Sequence, residues 1–254
     1  MFQIGWFSTG KGKTARDLLK AVWEAIEIGK IPNSQIAFVF CNRKCGESAE
    51  TDEFFDLARS YELPIISWSS RDFRPELRQS NIEKWREEYD RIVMSFLAPY
   101  HVDIYIMAGY MLIASHLMCQ YYEKIINLHP AKPGGPKGSW QEVIRQLIDS
   151  RAKETGCMMH LVTPELDAGS PVTFCTFPIW VPYKTDDLWR LWDLFRGDQI
   201  KSELFNWIRA EGVKRELPLI VETIKLLASG KIKIKRSKRK GRNLTKIIDK
   251  KLAN

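Results

Sequence analysis

The sequence predicts an α/β fold: a mostly parallel, twisted sheet with helices on both faces, an antiparallel β-hairpin after the fifth strand unit, and a helical C-terminal region. Three observations predict it. Short, largely apolar runs alternate with stretches of helical spacing up to Lys132, the pattern of strands buried on both faces. A Pro/Gly-rich segment then breaks the alternation, and two β-rich runs follow it with no helix between them. From Lys184 to Ser229 the apolar residues keep helical spacing.

Taken in order, Phe2 to Phe7 reads as the first strand, ending in Ser8-Thr9-Gly10-Lys11-Gly12-Lys13-Thr14. Ala15 to Ile28 follows as a helix with Leu18, Leu19, Val22, Ala25 and Ile26 on one face. Gln35 to Cys41 is the second strand, Asn42 to Ser48 a polar loop, and Phe54, Phe55, Leu57 and Ala58 mark a helix. Leu63 to Trp68 is the third strand; the loop Ser69 to Arg74 leads to a charged helix around Ile82 to Leu97. His101 to Met107 is the fourth strand, closed by Ala108-Gly109-Tyr110-Met111; Ser115 to Tyr122 forms a short helix before the fifth strand, Ile125 to Leu128. Lys132-Pro133-Gly134-Gly135-Pro136-Lys137-Gly138 must be loop. Ser139 caps a helix from Trp140 to about Asp149, with Glu142 completing a capping box. Thr155 to Thr163 and Ser170 to Pro178, joined by a short turn containing Gly169, form an antiparallel hairpin or two adjacent strands of the same sheet. In the helical region Trp189, Trp192, Leu194 and Phe195 form an apolar face, and Gly230 is the C-cap.

Length and composition suit a soluble protein of one large domain or two small ones: 254 residues, 44% hydrophobic and 28% charged. From Gly230 onward there are eleven Lys and Arg against one acid, a net of +10, so the whole-chain +8 leaves the body at −2. Such charge runs are usually solvated and disordered; the alternative is a module that binds nucleic acid or an anionic surface. No aromatic residue interleaves with those cations, which weighs against nucleic acid. The expected divisions are a catalytic domain over 1–183, with halves at about 1–100 and 101–183, a helical extension packed on it over 184–230, and a basic tail over 231–254. Five cysteines, odd in number and mostly within apolar runs, indicate reduced thiols in a cytosol-like compartment. Cys41 and Cys45 lack a second Cys/His pair, so no metal site is expected. With neither a membrane span nor a signal peptide in the pattern, a cytoplasmic protein is expected.

Gly10, Lys11, Gly12, Lys13 and Thr14 lie between a strand and a helix, where unpaired N–H groups at the positive helix end suit an anion. The spacing is neither G-x-x-x-x-G-K-[ST] nor G-x-G-x-x-G, so a small phosphate is expected rather than a nucleoside triphosphate or a dinucleotide. His129 stands at the C-terminal end of a strand, where ligands bind in open α/β sheets, and Asn127 projects to the same side. His160 lies in the first hairpin strand and Asp167 in the turn. Taken singly, each is an ordinary core or turn residue.

In combination they resemble a known family. Asn127-Leu128-His129-Pro130 matches the N-[IL]-H-P of the formyltetrahydrofolate-dependent formyltransferases, and His160 to Gly169 matches their H-x-V-x-x-x-x-D-x-G. The Ser8 to Thr14 loop and Ala108-Gly109-Tyr110-Met111 look like the S-G-x-G-[ST]-N and A-G-[FY]-M of one branch, the phosphoribosylglycinamide formyltransferases. The resemblance runs from Phe2 to about Pro178 and resumes over Pro218 to Ile234. It implies a Rossmann-like sheet and 10-formyltetrahydrofolate as formyl donor, with no metal. It also implies Asn127, His129 and Asp167 as catalytic residues with His160 in support, acceptor phosphate on Gly10 to Thr14, and folate against Met111, Leu112 and Ile113 and the Pro164, Glu165 and Leu166 loop. The expected reaction is formyl transfer to the amine of phosphoribosylglycinamide in purine synthesis. Asn127 and a protonated His129 would hold the oxyanion and Asp167 would take the amine's proton, with the neighbouring carboxylate raising the imidazole's pKa.

The sequence departs from the family pattern in places. Ala131 replaces the usual Ser, Lys132 to Gly138 replaces S-L-L-P, Leu112 replaces an Arg, and Thr14 an Asn. Helical sequence is added over roughly 186–210, and the resemblance implies a ribose-binding acid near the last helix, where Glu211 and Glu216 both stand and neither is assigned. The acceptor therefore stays open: another amine such as an aminosugar nucleotide, or water in a 10-formyltetrahydrofolate hydrolase. Oligomeric state is not legible.

Overall fold

The structure, a computed structural model, describes residues 1–234 and 240–253. Its strands are β1 (Phe2–Ser8), β2 (Ser34–Cys41), β3 (Ile65–Ser67), β4 (Ile104–Met107), β5 (Ile125–His129), β6 (Glu154–Leu161), β7 (Pro171–Pro178) and β8 (Arg242–Asn243). The helices are α1 (Lys13–Glu27), α2 (Ala49–Ser60), α3 (Pro75–Ser80), α4 (Ile82–Leu97), α5 (His116–Tyr121), α6 (Trp140–Asp149), α7 (Asp186–Phe195), α8 (Asp198–Ala228) and α9 (Thr245–Leu252). All eight strands form one sheet in the order β3-β2-β1-β4-β5-β6-β7-β8. β1 to β5 run parallel, β6 is antiparallel to both β5 and β7, and β8 is parallel to β7. The chain leaves β1 toward β3 and returns to β4 on β1's other side. This reversal opens a crevice between the C-terminal ends of β1 and β4.

Local sequence accounts for most boundaries. The Ser48 side chain caps α2 by accepting from the Thr51 N–H, and Asn81 caps α4 by accepting from that of Lys84. The capping box of Ser139 and Glu142 at α6 forms as expected. Two strands are shorter than their apolar runs: β3 pairs only over Ile65–Ser67, and β4 begins at Ile104, preceded by Asp103, whose N–H donates to the Gln3 carbonyl at 2.9 Å and whose carboxylate accepts the Gln3 N–H at 2.8 Å. The sequence reading passed over α3, a short helix with Pro75 at its start.

Apolar residues divide into three buried groups. One face of the sheet packs Trp6, Val39 and Ile106 against α1, α2 and the second half of α8. The other packs Phe7, Phe40 and Tyr105 against α4 and α5. A third group lies at the β7 end, where α6, α7 and the first half of α8 enclose Phe177, Ile179, Trp189 and Trp192. The apolar face expected on α7 is only half used, since Leu194 is 74% and Phe195 69% exposed.

The basic tail is the largest difference from expectation. Arg242 and Asn243 extend the sheet, Leu244 N–H donates to the Phe174 carbonyl at 2.7 Å, and Leu244 and Ile248 are buried in the first core. Lys251 pairs with Glu222 of α8. The cause is an amphipathic pattern hidden in the charge: apolar Leu244 and Ile248, four residues apart, pack inward while Lys246 and Lys250 face water. The Lys/Arg run at 235–239 lies outside the described residues. Among the described residues no helix is long and apolar enough to cross a membrane.

Candidate active site

β5 and β6 place three of the four expected groups by register. Asn127 lies directly opposite His160, and His129 opposite Met158. The Leu161 N–H then donates to the Ser170 carbonyl across the hairpin mouth, where a Cβ on Gly169 would stand 1.7 Å from the Leu161 oxygen. Only glycine permits that closure. Asp167, two residues earlier, takes φ +48°, a left-handed conformation that Asp tolerates better than most side chains. This turns its carboxylate back toward the strand ends.

The result is one buried cluster. His129 and His160 are each 2% exposed, with their rings perpendicular and centroids 6.0 Å apart. Asp167 bridges them, with Oδ2 3.3 Å from His129 Nδ1 and Oδ1 3.4 Å from His160 Nε2. His160 Nδ1 faces the Leu161 carbonyl at 2.8 Å and so carries a hydrogen. Its Nε2 then accepts from Asn127 Nδ2 at 3.2 Å or, when protonated, pairs with Asp167. His129 Nε2 lies 2.8 Å from the Pro136 carbonyl, and the Gly138 N–H donates to Asp167 Oδ2 at 3.1 Å. The Pro/Gly segment, where the chain leaves the family pattern, thus folds over the cluster and occupies a hydrogen-bonding position on both its acid and its imidazole.

Electrostatics here differ from expectation in one respect. The neighbouring carboxylate was expected to raise the His129 pKa. Burial dominates instead and holds the imidazole below 6.5, with Asp167 and the Pro136 carbonyl pulling the other way. Burial likewise pushes the Asp167 carboxyl up, but the His160 hydrogen bond, the charge of His129 and the Gly138 N–H together outweigh it and hold the group below 3.8. The resting pair is therefore a neutral imidazole beside a carboxylate. Such a pair can accept a proton while the ring N–H donates to an adjacent oxygen.

Gly10 to Thr14 lies at the C-terminal end of β1, across β4 from the cluster. Gly10 and Gly12 have φ of +67° and +79°, which glycine alone adopts without cost, and Gly12 caps α1 with no side chain over the first-turn N–H groups. Lys13 and Thr14 already belong to the helix, so α1 starts two residues earlier than its apolar spacing indicates. Lys11 is exposed, and the Lys13 ammonium is paired with Asp17 at 2.7 Å. Thr9, which the sequence reading did not single out, joins this loop to the next: its N–H donates to the Gly109 carbonyl at 2.9 Å, and its Oγ1 accepts the Met111 N–H at 2.8 Å. The Met111 N–H is thereby spent within the fold. In the Pro164, Glu165 and Leu166 turn, Thr163 Oγ1 donates to the Glu165 carbonyl, and Leu166 is exposed.

Neither acid considered for a ribose is free. Glu211 pairs with Lys214 and Arg215, and Glu216, 4% exposed, pairs with Arg209 at 2.9 Å. Arg209 also donates from Nη2 to Thr14 Oγ1 at 3.0 Å and lies 4.6 Å over the Trp140 ring. No local pattern could have found this contact, because 195 residues separate its partners. Among the described residues no group of three or more His, Cys, Asp or Glu is placed to hold a metal ion. Cys41 is buried, its thiol pushed up to about 12 by desolvation, whereas Cys45 is exposed.

Residues 15–191 match the sequence model of the family described as formyl transferase. Among curated proteins, the phosphoribosylglycinamide formyltransferase of Dictyostelium discoideum is 27% identical over 220 residues, covering 83% of this chain and 92% of that protein. The enzyme of the same name from Escherichia coli is 31% identical over 104 residues, 41% of this chain; the match spans about half of that relative, 48%. Among solved structures, glycinamide ribonucleotide transformylase 1 from Symbiobacterium toebii superposes with a TM-score of 0.68 at 21% identity, over 96% of this chain and 92% of that one. The two share an α/β fold.

Proposed function

This chain belongs to the formyl transferase family, and from that premise we propose that it transfers a formyl group from 10-formyltetrahydrofolate to the amine of phosphoribosylglycinamide, as in purine synthesis. The observation that carries the mechanism is the buried cluster of Asn127, His129, His160 and Asp167 at the ends of β5 and β6.

In this reading the acceptor's amine attacks the formyl carbon and the carbonyl oxygen becomes an oxyanion. His129 Nε2–H and Asn127 Nδ2 donate to it, the formyl oxygen taking the place that the Pro136 carbonyl holds on His129. A donor aimed at such an oxyanion contributes about 3 kcal/mol to the transition state. The amine's proton passes, directly or through water, to Asp167 and from there to N10 as the C–N10 bond breaks, so that tetrahydrofolate leaves and the formylated amine remains. Burial makes His129 neutral at rest, and the developing negative charge strengthens its hydrogen bond at the moment of reaction. His160 holds the Asp167 carboxylate in line. Gly10 to Thr14 receives the acceptor's phosphate, and Leu112, Ile113 and the 164–166 turn line the folate side.

The test is to incubate the protein with both substrates and follow tetrahydrofolate. Formation that depends on phosphoribosylglycinamide is expected. Release at the same rate without any acceptor would make the protein a hydrolase, and turnover only with an aminosugar nucleotide would reassign the acceptor.

A further inference from the structure

We infer that a cavity walled by Tyr100, Tyr105, Tyr121, Tyr122 and Asp103, at the opposite pole of the sheet from the catalytic cluster, binds an organic ammonium ion. The cavity measures about 380 Å³. None of the residues assigned to formyl transfer lines it.

Topology brings these side chains together. α4 and α5 precede the parallel strands β4 and β5 and run back along the sheet, so both helices end at the N-terminal edge of those strands. Tyr100 and Asp103 lie in the link from α4 to β4, Tyr105 in β4, Tyr121 at the last position of α5 and Tyr122 just beyond it. The rings are held at steep angles. Tyr121 and Tyr122 stand at 87° with centroids 4.9 Å apart, and Tyr105 is tilted by 48° to Tyr122 at 4.4 Å. Tyr100 is fixed by the Phe38 ring, 4.9 Å away. Rings set this way form the corner of an aromatic cage, the arrangement that recognises quaternary ammonium groups. Asp103 is anchored by its two bonds to the Gln3 backbone, and the one from the Gln3 N–H at 2.8 Å uses only part of the carboxylate's acceptor capacity.

The fixed electrostatic contributions to this space share one sign. Aromatic faces carry the negative lobe of the ring quadrupole, and Asp103 adds a full negative charge. Leu97 and Ala98, the last residue of α4 and its C-cap, also line the cavity. It therefore borders the carbonyl end of a 16-residue helix with no basic residue in its last turn, equivalent to about half a negative charge. Among the described residues that line the cavity none is Lys or Arg, and His101 is the one group able to gain a positive charge. An anion is repelled by this field. A metal ion is unsuited too, because a single carboxylate supplies too few oxygen ligands to replace its water. An alkylated ammonium meets both demands: its charge faces the carboxylate and the helix end, and its methyl or methylene groups lie on the rings.

The experiment titrates the full chain with choline and with its uncharged isostere, in which a tert-butyl group replaces the trimethylammonium, and follows the tyrosine ring protons by NMR. Choline is expected to bind at least about tenfold more tightly than the isostere and to shift the ring signals of Tyr121 and Tyr122. Tyr121 is 68% exposed, so it can be changed without disturbing the core. Tyr121→Leu should weaken choline about 3- to 10-fold, whereas Tyr121→Phe, which keeps the ring, should cost less than about 2-fold. Asp103→Asn should weaken it about 2- to 5-fold. Melting temperatures are measured alongside; if Asp103→Asn lowers its own, the two Tyr121 variants decide. Failure of choline to bind overturns the inference, and so does equal binding of the isostere, which would leave an apolar cavity with no preference for charge. Unchanged affinity in both Tyr121→Leu and Asp103→Asn overturns it as well. Displacement of choline by the formyl donor does the same, by placing the probe in the catalytic crevice.

Discussion

The two halves of the site are built in opposite ways. The cluster of His129, His160 and Asp167 is sunk at the strand ends, with the imidazoles 2% exposed and each of the three residues also held by a backbone group. The Gly10 to Thr14 loop is open, its lysines loosely held, and Thr14 is reached by Arg209 from a helix 195 residues further along. Proton transfer tolerates displacements of only tenths of an ångström, so its groups sit where packing denies them freedom. Anion capture needs charge and N–H groups but little angular accuracy, and can be assembled from a loop and a distant helix.

Substitutions in each half should separate these roles. Asp167→Asn keeps both the shape and the left-handed tolerance of the residue. It is expected to lower kcat by about 10²- to 10⁴-fold while leaving acceptor KM within a few-fold, as read by steady-state kinetics. A large rise in KM with kcat intact would erase the division between the halves.

The pH behaviour sharpens the comparison. The His129 ring should titrate below 6.5 by NMR, and Asp167→Asn should lower the midpoint further, because the carboxylate it removes favours the charged ring. A midpoint at or above 6.5 would mean that the pairing with Asp167 outweighs burial. With a depressed folded-state pKa, this group's contribution to stability is complete above 6.5 and is lost as pH falls through the folded value, since the unfolded chain takes up the proton first. The smallest effect belongs to the loop. Lys13, 80% exposed at its side chain and paired with Asp17, should cost less than about 1 kcal/mol in acceptor binding when changed to Met. A larger loss would show that a mobile lysine holds the phosphate.

Legibility in the sequence followed the range of the interactions. The first five strands, the capping box at Ser139, the loop at 132–138 and the hairpin were readable because each depends on neighbours a few residues apart. Asn127 and His129 could be placed at a strand end, and His160 and Asp167 in the hairpin, from the same local patterns. The pKa direction of His129 was not readable. It depends on how much burial opposes a carboxylate at 3.3 Å, and burial exists only after the 132–138 loop has closed. The packing of the tail was not readable, because charge dominates its composition while its buried apolar residues, Leu244 and Ile248, are sparse.

By itself, then, the sequence determined the alternation of strands and helices, the glycines at Gly10, Gly12 and Gly169, and the residue types that formyl transfer requires. Backbone geometry and side-chain chemistry are local properties, and they are carried by adjacent residues. Tertiary structure alone decided that the Pro136 carbonyl sits on His129, that Arg209 reaches Thr14, and that a segment rich in lysine completes the sheet. Each of these contacts joins segments whose approach is set by the packing of the core, and packing depends on the whole chain at once.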